Sequence, residues 1–154
     1  MCCEILPRRE RKMGEARILL LAQGSCASIP EVAARLRESG YETTTLFDAN
    51  EAWRLLAKQP YDVVAIEVSG DRIEEGWLVC RLLRRRSGSP IIILGLSHDK
   101  EAALNYYRAG ADVYLAIPFE MQEFFARLYG LFQWERRRAK ASTSSVSMAG
   151  LETG

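Results

Sequence analysis

One histidine, four cysteines and five prolines in 154 residues, with neither charge in excess, make this a chain of shortages. Each one excludes something. His98 has no partner of its own kind, and Cys2, Cys3, Cys26 and Cys80 follow no metal-ligand or redox spacing. No metal site and no disulfide framework is therefore expected, and the thiols read as buried or incidental. Lys and Arg number 21 against 20 Asp and Glu, a net charge of +1, so no global field selects nucleic acid or an anionic membrane. The longest apolar run, Pro90 to Leu96, is far too short to span a bilayer. The opening residues, Met1 to Arg9, lack the apolar core of a signal peptide. A cytoplasmic location, no membrane association and no cofactor are the resulting expectations.

What is present is apolar mass in short, spaced segments. With 48% hydrophobic residues, one domain with a real core is expected. Residues 1–14 are polar and basic and read as a disordered arm, 15–135 as the folded domain. Residues 136–154, basic and then rich in Ser and Thr, read as a tail that cannot bury enough to fold.

Within the domain the chain alternates between two patterns. Arg17 to Ala22 is a continuous apolar strand, and Ser28-Ile29-Pro30-Glu31 has the form of a capping box before a helix that stops at Gly40. Tyr41 to Leu46 is a second strand; Asp48 caps a second helix, in which Trp53 reads as core or as helix-to-sheet packing. Tyr61 to Val68 is a β-branched strand with one acid, Glu67, near its C-terminal end. A third helix ends in Arg84-Arg85-Arg86, where the helix dipole favours cations. Pro90 to Gly95 is the fourth strand, a fourth helix ends at Ala109-Gly110, and Asp112 to Ala116 is the fifth strand. Pro118 opens a last helix with Phe124, Phe125, Leu128, Leu131 and Phe132 on its apolar face. Five strands alternating with five helices predict an α/β fold, a (βα)5 doubly wound parallel sheet with helices on both faces, in three layers.

Tyr61-Asp62-Val63-Val64-Ala65-Ile66-Glu67-Val68, Gly76, Pro90-Ile91-Ile92-Ile93-Leu94 and Ala109-Gly110-Ala111-Asp112-Val113-Tyr114-Leu115-Ala116-Ile117-Pro118-Phe119 together resemble the receiver domain of bacterial response regulators. The resemblance covers about residues 15–135 and implies the flavodoxin-like strand order 2-1-3-4-5. It also implies a phosphorylation site of five side chains. An acidic pair and a phosphoacceptor aspartate hold Mg²⁺, while a hydroxyl and a lysine bind the phosphoryl oxygens. Those positions hold Ala22 and Gln23, Glu67, Gly95 and Ile117. All five are substituted, so a degenerate pseudo-receiver is expected, one that phosphorylation by the family route does not reach. Glu67 then reads either as a permanent phosphate mimic or as a leftover polar group at a partly wet sheet edge, with the second preferred. Ile117-Pro118 is expected to be cis, as the family's Lys-Pro bond usually is.

The resemblance further implies signalling through the face made by the fourth helix, fifth strand and fifth helix. Here that face is expected to offer Tyr106, Tyr107, Arg108, Tyr114, Tyr129 and Trp134 to a protein partner. A histidine kinase, another regulator, an output protein or a second copy are the forms such a partner takes. The alternative is a transcription-associated regulator, or a fragment of one, contacting DNA directly or through a partner. Direct nucleic-acid contact is not expected, because Ala141 to Gly154 holds no helix-turn-helix pattern. Catalysis is not expected either: Gln23, Ser25, Glu67, Ser69 and Ser97 at the mouth of the sheet make no base–nucleophile pair.

Overall fold

The structure, a computed structural model, describes residues 16–23, 28–68, 73–96 and 100–152; at 73, 74, 136 and 138–152 it describes the backbone alone. The expected basic arm at 1–14 lies outside the described residues. Ten elements alternate along the chain: β1 (Arg17–Ala22), α1 (Ile29–Glu38), β2 (Glu42–Leu46), α2 (Ala49–Lys58), β3 (Val63–Val68), α3 (Ile73–Arg86), β4 (Ile91–Gly95), α4 (Lys100–Ala109), β5 (Val113–Ala116) and α5 (Met121–Glu152). The five strands form one parallel sheet in the order β2-β1-β3-β4-β5.

The apolar continuity of the three central strands follows from their place. β3 and β4 are buried throughout, and β1 from Ile18 onward, because helices cover both faces of the sheet. Alternate residues feed two cores. On one face Ile18, Leu20, Val63, Ala65, Ile92 and Leu94 meet α1 and α5; on the other Leu19, Leu21, Val64, Ile66, Ile91 and Ile93 meet α2, α3 and α4. Each such side chain taken fully out of water contributes about 1.5–3 kcal/mol. β2, with three threonines half-buried, is an edge strand as its composition suggests.

Local signals account for most boundaries. Asp48 caps α2 by accepting from the Asn50 N–H at 3.1 Å. Gly40 and Gly110 leave α1 and α4 with φ of 93° and 117°, a region only glycine enters without strain. Two boundary or packing expectations need correction. Pro118 does not open the last helix, which begins at Met121; the Ile117–Pro118 bond is cis, as expected, and carries the chain out of β5. The helix backbone continues past Arg136 to Glu152, into the segment read as a tail. Nothing from Met121 to Ala149 is a proline, and once a helix is nucleated on a buried face each further residue adds a hydrogen bond. Trp53 is part-exposed rather than core, with the Arg86 guanidinium 3.8 Å above its ring, a cation–π contact joining α2 to α3.

Arg84 does more than complement a helix dipole. It donates to the Gly110 carbonyl from Nε at 3.0 Å and from Nη2 at 2.7 Å, to the Ser89 carbonyl at 3.1 Å, and to the Asp112 carboxylate. Asp112 in turn accepts the Ile91 N–H at 2.9 Å. One side chain thereby ties α3 to the turn before β4 and to the α4–β5 turn.

Candidate functional site

Register decides what meets at the C-terminal edge of the sheet. Ala22 pairs with Glu67, Val68 with Gly95, and Gly95 with Ala116, so the ends of four strands converge there. Glu67 sits at the centre of that edge and not at the wet rim that was expected: β3 is the middle strand and Glu67 is only 2% exposed. A buried carboxylate needs donors. Ser28 supplies two to the same oxygen, Oε2: its backbone N–H at 3.1 Å and its hydroxyl at 2.5 Å. Ser28 is the N-cap of α1, so the carboxylate also lies at the positive end of a helix. The small Ala22 stands beside it in the neighbouring strand, and the Gln23 N–H continues the ladder onto the Glu67 carbonyl at 2.8 Å.

This contact overturns the capping box. The Ser28 side chain makes no hydrogen bond to its own helix; it has turned to the carboxylate of β3 instead. Glu67 thus acts as a long-range cap for α1. Its second oxygen, Oε1, has no hydrogen-bond partner among the described residues. Gly95 and Ile117 lie on the other side of the edge, joined by an Ile117 N–H to Gly95 carbonyl bond of 2.7 Å. Ile117 is half-buried against the α1–α5 core and brings no charge to the mouth. Ser25, Ser69 and Ser97 lie outside the described residues.

The expected interaction face divides into separate parts. α4 packs on one side of the sheet and α5 on the other, flanking edge strand β5. Tyr106 must be withdrawn from the face: it is 1% exposed, between Trp77 at 6.3 Å and Tyr114 at 5.7 Å centroid to centroid. The reason is helical phase, since Ala102, Tyr106 and Ala109 form the buried side of α4. Burial, then the neighbouring Tyr114 and Cys80, push the Tyr106 phenol well above its ordinary value of 10.0. Tyr114 is half-buried. Tyr107 and Arg108 are exposed, and the Tyr107 hydroxyl accepts the Tyr114 N–H at 3.1 Å, covering one donor of the sheet edge. Tyr129 and Trp134 are both half-exposed, but five helical residues place them about 140° apart around α5. They do not share one flank. Phe132, which stacks on Tyr41 at 6.2 Å, marks the α1 side, nearer Tyr129 in phase than Trp134.

Residues 20–129 match the family described as the response regulator receiver domain. The chain belongs to this family. Among similar proteins, the probable transcriptional regulator ycf27 of Cyanophora paradoxa is 31% identical over 120 residues, which is 78% of this chain and 49% of its own. The transcriptional regulatory protein TcrA of Mycobacterium tuberculosis is 36% identical over 104 residues, 65% of this chain and 40% of its own. The chain spans about half the length of the curated relatives it matches. Of the solved structures, the receiver domain of the Francisella response regulator 1452 superimposes with a TM-score of 0.67 at 26% identity, covering 79% of this chain and 99% of that one. A two-component response regulator from Clostridium difficile shares the fold with a TM-score of 0.69 at 22% identity, over 77% of this chain and 97% of its own.

In this receiver, then, the fold gathers Ala22, Gln23, Glu67, Gly95 and Ile117 at one edge of the sheet. Sequence reasoning missed Ser28, because a serine three residues before a glutamate at a helix start already had a complete local explanation. Only the register of β1 on β3 reveals the competing partner. Gly76, which enters the sequence reading only as part of the family resemblance, has no side chain and so makes room for the Tyr106 ring. No described helix is long and apolar enough to cross a membrane.

Proposed function

We propose that this chain is a phosphorylation-independent receiver of a two-component-type pathway, working as a protein–protein interaction module and not as an enzyme. The observation that supports this most is the condition of Glu67. The carboxylate at the acceptor position is buried, and one of its oxygens already holds two donors from Ser28. Mg²⁺ requires several hard oxygen ligands in near-octahedral array. Among the described residues, Ala22 stands beside Glu67 with only a methyl and the next residue, Gln23, carries no charge, a set that does not fit that ion. Nor is there a hydroxyl at Gly95 or a cation at Ile117 to steady a phosphoryl group. The nearest hydroxyl and the carboxylate are already bonded to each other at a helix N-terminus, which favours a structural over a catalytic role.

Output by contact is the role that remains. Tyr107 and Arg108, exposed on α4 beside β5, and the exposed Trp134 of α5 suit a partner that is a second copy, a histidine kinase or an output protein. The decisive test is intact mass after incubation with acetyl phosphate and Mg²⁺. No adduct is expected, and a phosphoryl group mapped to Glu67 refutes the reading. Light scattering then separates a homodimer from a partner of another kind.

A second reading is favoured by the names of the relatives, which are transcriptional regulators about twice as long. In it the chain is the receiver portion of such a regulator and reaches DNA through a partner. Affinity for duplex DNA that falls steeply with salt would support direct contact instead.

A further inference from the structure

The two edges of the sheet end differently. At β5 the Tyr107 hydroxyl covers the Tyr114 N–H. At β2, among the described residues, no strand pairs on the outer side. The usual devices that blunt an edge are missing there. Glu42–Leu46 contains no proline, lysine or glycine, and its register on β1 runs unbroken from the Arg17–Glu42 pair to the Leu21–Leu46 pair, without a bulge. The Glu42 N–H donates to the Ala16 carbonyl at 3.1 Å. In a parallel ladder alternate residues face the neighbouring strand, so Glu42, Thr44 and Leu46 turn their backbone groups to β1. Thr43 and Thr45 point theirs outward, and Phe47 follows at 66% exposure.

We propose that β2 is a self-association site: it pairs antiparallel with β2 of a second copy, Thr44 lying on the two-fold axis, and the two sheets join into one. A strand that meets its own copy across a two-fold perpendicular to the sheet runs antiparallel, and its outward groups must stand opposite outward groups. The registers that satisfy this place Thr43, Thr44 or Thr45 on the axis. With Thr45 there, Glu42 stands opposite Asp48 of the second copy, acid against acid. With Thr43 there, Phe47 runs past the paired strand to Ser39. With Thr44 there, Thr43 and Thr45 exchange N–H and carbonyl with Thr45 and Thr43 of the second copy. Phe47 then stands opposite Tyr41 and Glu42 opposite Leu46, so no like charges meet. The flanking helices select the same occupant. α1 and α2 pack on β2, and each opens on an acid and closes on a cation: Glu31 and Arg37 in α1, Glu51 and Lys58 in α2. The two-fold lays each helix in the opposite sense to its copy, acid toward cation. None of these groups belongs to the mouth of the sheet, so the inference goes beyond the reading above and holds whether or not Glu67 accepts a phosphoryl group. It also leaves the α4–β5 surface uncovered at the far edge.

Light scattering over a dilution series reads the association, and a disulfide reads the register. The natural chain is expected to pass from monomer to dimer as its concentration rises. Directly opposed residues of a non-hydrogen-bonded pair have Cα atoms about 4.5 Å apart, within disulfide reach, whereas diagonal neighbours lie about 7–8 Å apart, beyond it. Thr44→Cys should therefore give a disulfide-linked dimer on oxidation with copper phenanthroline, and Thr43→Cys, which carries the same natural cysteines, should not. Thr45→Pro deletes an outward N–H and no bond to β1, and should weaken the dimer at least about tenfold. Phe47→Asp, at an exposed position, should weaken it in the same direction, and serves if the proline variant does not fold. A monomer at every concentration overturns the proposal. So does a dimer that either folded variant leaves unmoved, which puts the contact on another surface, or cross-linking that is equal at 43 and 44.

Discussion

Replacing Ser28 by alanine separates a local cap from a long-range one. An N-cap serine bonded to its own helix is typically worth about 1 kcal/mol, whatever stands in β3. Here the Ser28 hydroxyl donates to a carboxylate that is almost wholly buried. A hydrogen bond to a charged group contributes about 1.5–3 kcal/mol, and its loss leaves Glu67 with only the backbone N–H on that oxygen. Ser28→Ala should therefore cost about 1.5–3 kcal/mol. Glu67→Met removes the charge while keeping a chain of similar length, and exchanging a buried ion for a well-packed apolar group is often neutral or better. In that background the hydroxyl is free to turn to α1, and its removal should cost no more than about 1 kcal/mol. The coupling in the double-mutant cycle is then about 1–2 kcal/mol. Urea denaturation followed by circular dichroism measures it, with a midpoint about 1 M lower for Ser28→Ala at an unchanged slope. If the two single changes add to the double within about 0.5 kcal/mol, Ser28 does not hold Glu67 and the account of the site is wrong.

Two other outcomes follow from groups outside the mouth of the sheet, the part-buried Arg84 and the buried Cys80. Arg84→Met strips donors from the Gly110 and Ser89 carbonyls and leaves Asp112 short of its cation. The expected loss is about 2–3 kcal/mol, or roughly 4–12 °C in Tm by calorimetry; a melt within about 1 °C of the natural chain's would show the network to be incidental. Burial, opposed by Arg84 and reinforced by Asp112, pushes the Cys80 thiol from its ordinary 9.0 up to about 11. Between those pH values the unfolded chain has already lost this proton while the native chain keeps it, so stability falls as pH rises. Cys80→Val should flatten that part of the stability–pH curve, and a curve identical in both proteins would refute the assignment.

The sheet was legible before any coordinates because hydrophobic burial writes itself into short segments. Ile18 to Ala22, Val63 to Val68 and Ile91 to Gly95 are almost unbroken apolar runs of five or six residues, the length and pattern of a strand covered on both sides. Asp48 and Gly40 marked helix ends by local chemistry alone. Helical phase is legible as well. The 3.6-residue period that aligns Ala102, Tyr106 and Ala109 buries Tyr106, whereas a face chosen by residue type alone counts it as exposed.

What the sequence by itself determined is therefore the order of elements, their parallel arrangement and which residue types stand at the edge of the sheet, since each depends on residue type and spacing within a few residues. Tertiary structure alone decided which groups spend their hydrogen bonds on which. Ser28 and Glu67 are 39 residues apart, Arg84 and Asp112 are 28 apart, and Gly95 meets Tyr114 through strand register. A side chain with two acceptable partners, one local and one distant, goes to the partner whose burial would otherwise leave a charge unsatisfied. That competition is settled by packing, and no window of sequence contains both competitors.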